Sequence, residues 1–226
     1  MRDDWFRSPD WSPAGRADFE HRLGRARPRS RPQYLRIKGL ALNATGEIAA
    51  ARDLWQRVLD EPTASWVDRA TTTEHLADSY RASEPARAAD LYRRVIELSP
   101  TGSGTSGTQR IKLAELLLTM GALGDLEEAG RHLEWWVENA HSPFPSDHFA
   151  WNVACVGWAQ ALGDKEAAQS AARRALELTS RGPVFSRHPT VGIVHADDAT
   201  LKWLRSVATS RWTGWRRRRP TKRPLS

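Results

Sequence analysis

The chain has 226 residues, of which 40% are hydrophobic and 27% charged, a composition in keeping with a soluble globular chain of one or two domains. Its net charge of +7 sits at one end: seven of the 34 basic residues fall in residues 210–226, which hold no acid, and the other 27 are balanced by 27 acids. A single cysteine, Cys155, excludes an intrachain disulfide, and no apolar run is long enough to span a bilayer or to act as a leader, so the expectation is a cytoplasmic protein.

Residues 1–31 form an opening segment with two tryptophans, Trp5 and Trp11, and an arginine cluster from Arg22 to Arg31. Ser12 followed by Pro13 predicts a helix start, with the helix running to about Ala26 and Phe19 and Leu23 on one face. From Pro32 the pattern becomes a helix, a turn at Gly46-Glu47 and a second helix that carries Ile48, Ala51, Leu54, Trp55 and Val58 at three- and four-residue spacing. Pro62 closes it.

The same figure returns three times. Ala70 to Arg81 and Pro85 to Leu98 form the second hairpin, and Arg110 to Leu123 and Leu126 to Asn139 the third. Phe149 to Leu162 and Lys165 to Thr179 form the fourth. Residues 101–107, glycine- and serine-rich, are expected to be a flexible linker. After an irregular stretch from Phe185 to Ala196, Asp197 or Asp198 caps a last helix that covers the open end of the array. The organisation expected is a segment over residues 1–31, a helical repeat domain over 32–209 and a basic disordered tail over 210–226.

These hairpins resemble the tetratricopeptide repeat (TPR) family, whose repeat has a small residue and an aromatic in its first helix, a turn glycine, and alanines around a large apolar residue in its second. Gly39, Leu42, Gly46, Ala51, Trp55, Val58 and Pro62 follow that order in the first hairpin. Ala77, Tyr80, Ala88, Tyr92, Val95 and Pro100 follow it in the second, Gly124, Ala129, Leu133 and Trp136 in the third, and Gly163, Ala168, Ala172 and Ala175 in the fourth. The resemblance covers roughly residues 32–180 with irregular spacing between hairpins. It implies an all-α fold, a right-handed α-α superhelix of about four hairpins with capping helices at both ends. The chain is similar to bacterial TPR-containing proteins, and its Arg, Ala and Gly content suits a GC-rich bacterial source.

Laying the repeat over the chain implies a concave face lined by the first helices. It would present Gln33, Arg36 and Asn43 from the first hairpin, then Glu74, Asp78 and Arg81 from the second. Ile111, Ala114 and Leu118 follow from the third hairpin, and Val153, Gly157 and Gln160 from the fourth. The groove is thus expected to be charged in its N-terminal half and apolar further on, suited to a peptide or partner protein. Some family members grip the C-terminal carboxylate of chaperones. Here Leu40 stands where that clamp needs asparagine and Ile111 where it needs lysine, so the clamp is not expected.

No catalytic pattern emerges. His188, His195 and Asp197, and separately His141, Asp147 and His148, share loops but match no zinc spacing. Gly102 to Gly107 precedes a helix but no Gly-Lys-Ser/Thr follows, and Cys155 lies within an apolar helix as a small packed residue. The expectation is a non-enzymatic scaffold without cofactor or metal. The alternative is a protein that associates with nucleic acid or another anionic surface through Arg211, Arg216, Arg217, Arg218 and Arg219, beside Trp212 and Trp215.

Overall fold

Helix starts and stops follow local capping chemistry. In the computed structural model, which describes residues 4–210, a short 3-10 helix (Trp5–Arg7) precedes α1 (Pro13–Arg25). Ser12 caps α1 by accepting from the Gly15 amide at 3.1 Å, with Pro13 pre-set at the first helical position. Four hairpins follow: α2 (Arg31–Ala44) with α3 (Ile48–Asp60), α4 (Trp66–Tyr80) with α5 (Pro85–Leu98), α6 (Gln109–Met120) with α7 (Asp125–Asn139), and α8 (Pro145–Leu162) with α9 (Lys165–Leu178). The chain then crosses an irregular segment into α10 (Asp198–Thr209), whose N-cap Asp197 accepts from the Thr200 amide at 2.6 Å. The described residues are all-α, without a strand.

Two turns need glycine. Gly46 and Gly163 take φ values of 87° and 73°, which let the next amides, Glu47 and Asp164, reach back to the carbonyls of Leu42 and Ala159 at 3.0 and 2.8 Å. Ser65 and Asp68 cap α4 with a reciprocal capping box, so Trp66 is the first residue of that helix and is exposed. Pro145 likewise starts α8 one turn earlier than the periodicity predicts.

Each helix packs against its partner and each hairpin on the next, and α10 lies against α9. Close approach depends on two tryptophans seated on glycines. A Cβ at Gly39 would lie 2.4 Å from Trp55 Nε1, and that indole donates to the Arg36 carbonyl at 3.2 Å. A Cβ at Gly130 would lie 2.6 Å from Trp158 Cζ2, and Trp158 donates to the Leu126 carbonyl at 3.0 Å. Arginines of the outer helices tie neighbours together: Arg57 pairs bidentately with Glu20 of α1, Arg52 reaches Ser79 of α4, and Arg93 of α5 pairs bidentately with Glu128 of α7. Hydrogen bonds from Arg93 hold the Glu128 carboxyl below the usual carboxylate range.

Buried side chains form two clusters. One runs from Phe19 to Ala154, and the smaller, alanine-rich one joins α8, α9 and α10. Ile111 and Ala114, expected on the open face, are core residues. Residues 101–107 are not a loose linker. Thr71 donates to the Gly104 carbonyl, Trp136 Nε1 to the Gly107 carbonyl at 2.9 Å, and Ser99 Oγ to the Ser103 carbonyl at 2.8 Å. The first two bonds span 33 and 29 residues, and with the local Ser99 bond they fix the segment despite its composition.

Candidate functional site

The first helices of the hairpins contact one another in turn along a seam, α2 with α4 through Arg36 and His75, α4 with α6 through Lys112, Glu74 and Asp78, and α6 with α8. On α2, Gln33 and Asn43 are exposed. Arg36 turns toward α4, where its Nη1 lies 3.5 Å from His75 Nε2, and it forms no ion pair with a described carboxylate. His75 also packs against the Trp55 ring, with centroids 5.6 Å apart. Burial, reinforced by the Arg36 charge, pushes the imidazole down to about 4, so it is neutral at physiological pH.

Between α4 and α6 the seam becomes a ladder of charges. Lys112 Nζ lies 3.1 Å from Glu74 Oε1 and 2.9 Å from Asp78 Oδ1. Tyr92 reaches through from α5 to donate its hydroxyl to Asp78, and burial together with that carboxylate keeps the phenol protonated. Arg81 Nη2 donates to Glu115 Oε2 at 2.7 Å. Glu74 differs from its expected role. It is only 3% exposed, and its two oxygens accept from the Ser106 amide and hydroxyl as well as from Lys112. A carboxylate so enclosed anchors the loop before α6 and offers nothing to a ligand. Asp78 and Arg81 remain partly accessible but already hold partners.

The repeat resemblance implied Ile111 and Ala114 on this face; the structure places Lys112 and Glu115 there. The two sets differ by one residue, a rotation of about 100° on a helix. The usable signal was charge: Lys112 and Glu115 are charged residues within the apolar middle of α6, three residues apart and so on one face.

Beyond Glu115 the seam opens into a cleft of 320 Å³ between α8 and the segment that leads to α10. Phe149, Ala150, Val153 and Val194 give it apolar walls, with Glu115, His195 and Asp197 at its rim. The Ser146 amide donates to the Gly192 carbonyl at 2.9 Å, and Gly192, at φ 75°, sits against the Phe144 ring where a Cβ would meet Cδ1 at 2.2 Å. The irregular segment is thereby held as the end wall of the seam. Val153, expected in the apolar half, lines the cleft together with Phe149, which was not expected there, while Gln160 is exposed one helix end away.

His188 is exposed, and His195 and Asp197 share only the cleft rim; among the described residues no group of three or more His, Cys, Asp or Glu is arranged to hold a metal. Cys155 is partly buried and its thiol is pushed up to about 12 by that burial, so it stays protonated. Among the described residues no helix is long and apolar enough to cross a membrane. The arginines expected to bind polyanions, Arg211 and Arg216 to Arg219, lie outside the described residues. No protein-family model matches the chain, and no curated protein matches it.

Proposed function

We propose that the protein is a non-catalytic interaction scaffold, a divergent solenoid of tetratricopeptide-like repeats, which holds an extended peptide or a segment of a partner protein along the α2–α4–α6–α8 seam. One observation supports this reading: the seam runs from Arg36, which has no carboxylate partner among the described residues, past a ladder of internally paired charges, to the walled apolar cleft at Phe149 and Val153. Such a surface offers a cation at one end and an apolar side-chain pocket at the other. That suits a ligand with an acidic residue and a large apolar residue separated by an extended stretch. Gln33 and Asn43 flank Arg36 as uncommitted hydrogen-bonding groups.

The test begins with a pulldown by the full chain and mass spectrometry, and then uses the purified partner with defined variants. Arg36→Glu and Val153→Asp should each weaken binding about tenfold or more, as expected for a reversed charge and a carboxylate set in an apolar pocket. Arg205→Glu, on the exposed side of α10, should leave the affinity unchanged. Equal affinity of wild type, Arg36→Glu and Val153→Asp would show that the partner binds elsewhere.

A further inference from the structure

The molecule has a second cleft, away from the seam, on the side where the hairpin turns lie. It has a volume of 440 Å³ and lies between α7 and the C-terminal turn of α8. Trp158, Leu126, Leu162 and Gly130 form an apolar lining, and Glu127 and Glu134 stand at its edge. Glu134 has no ion pair with a described residue, and Glu127 is exposed and paired only with Arg131 of its own helix at 2.8 Å. Beside it Leu123 is fully exposed and Leu162 half exposed. Arg131 also lines the cleft, so its edge carries two carboxylates and one guanidinium, a net negative border over an apolar floor, which suits an aromatic side chain followed by cations.

The chain itself supplies such a segment at short range. The last described residue, Ser210, is held on α9, where Gln169 Nε2 donates to its carbonyl at 2.7 Å and to its hydroxyl at 3.0 Å. Gln169 lines a neighbouring cleft of 580 Å³ with Gly163, Asp164 and Glu166. The two clefts flank the α8–α9 turn, Leu162 lining one and its neighbour Gly163 the other. Gln169 lies about one helical turn, roughly 6 Å, from the start of α9. Residues 211–226 follow Ser210 and contain Trp212, Trp215 and seven cations without an acid. At about 3.3–3.6 Å per residue, Trp215 reaches roughly 17 Å from Ser210, more than the ~10 Å diameter of a helix.

We propose that residues 211–226 dock on their own chain, with Trp212 or Trp215 in the Trp158–Leu162 cleft and Arg216 to Arg219 against Glu127 and Glu134. The same segment, when docked, is withheld from nucleic acid and anionic lipid. Docking makes the tail a competed ligand and not a permanently available polycation. Tethering favours the intramolecular contact over an equal contact from a second molecule, because a short linker supplies an effective concentration in the millimolar range.

The experiment uses the full chain, ¹⁵N-labelled, with Cys155→Ala to remove the native thiol and Thr213→Cys to carry a nitroxide. Amide signals of Gly124 and Gly130 and the indole signal of Trp158 should fall to about half intensity or less relative to the reduced label, because a tethered segment is mostly bound. The loss should persist on dilution and be relieved by Glu127→Lys with Glu134→Lys, two exposed substitutions that leave the core untouched. Unchanged intensities overturn the proposal. So does broadening that vanishes on dilution, which assigns the cleft to the tail of a second copy, and so does broadening that the charge reversals leave intact.

Discussion

The two ends of the helical array are closed by different chemistry. At the N-terminal end Trp5, Phe6, Trp11, Phe19 and Tyr34 pack ring on ring, with centroids between 4.8 and 5.9 Å apart. Lys38 of α2 lies buried among them, donating to the carbonyls of Ser8 and Asp10 at 2.7 and 2.9 Å and facing the rings of Trp11 and Phe19. At the C-terminal end, Ala159, Ala168, Ala171, Ala172 and Ala175 meet Leu204 and Val207 of α10. One end is held by a few large groups with directional bonds, the other by many small contacts. The first arrangement fails when a single side chain is lost; the second is spread over interchangeable methyl groups.

That contrast sets an order of expected effects. Phe19 is 2% exposed and packs on the rings of Trp5 and Trp11. Phe19→Ala should cost about 3–5 kcal/mol in denaturant unfolding, against about 1–2 kcal/mol for Ala172→Gly in the alanine cluster. Similar losses for the two would remove the distinction between the regions. Next comes Lys38→Met, which keeps the stem but removes the ammonium and should cost about 1.5–3 kcal/mol. Faster amide exchange should then be confined to residues 5–12; protection unchanged there would mean that the rings alone hold the segment.

The smallest effect near neutral pH concerns His75. Its pKa is about 4 in the folded chain against about 6.5 when unfolded, so between those values the unfolded state binds the extra proton. Stability conferred by the neutral imidazole is complete above about pH 6.5 and is lost as pH falls toward 4. The slope is at most about 1.4 kcal/mol per pH unit. Arg36, Lys112, Glu74 and Asp78 all face this group, and the two carboxylates moderate the shift. His75→Gln should flatten the profile of unfolding free energy between pH 6.5 and 4; an unchanged slope would place the titrating group elsewhere.

Legibility in the sequence tracked the range of the interaction. The start of α1 at Ser12-Pro13, the α2–α3 turn at Gly46 and the start of α10 at Asp197 depend on hydrogen bonds within a few residues, and each could be read from its neighbours. The Gly39–Trp55 contact was legible as a small residue facing a large one. The face of α6 was missed by one residue because its apolar positions go almost all the way round, which leaves the phase of the helix undetermined.

The sequence alone therefore determined an all-α chain of four hairpins between an aromatic segment and a final helix, since caps, turns and three-to-four periodicity are local. Tertiary structure decided which polar groups are buried and which remain available. Lys112 meets Glu74 across 38 residues, Lys38 meets Ser8 across 30, and Glu74 orders a glycine-rich loop 32 residues away. No local signal encodes those pairings, because a buried charge is tolerable only where folding brings its partner, and that partner is chosen by the packing of one hairpin on the next.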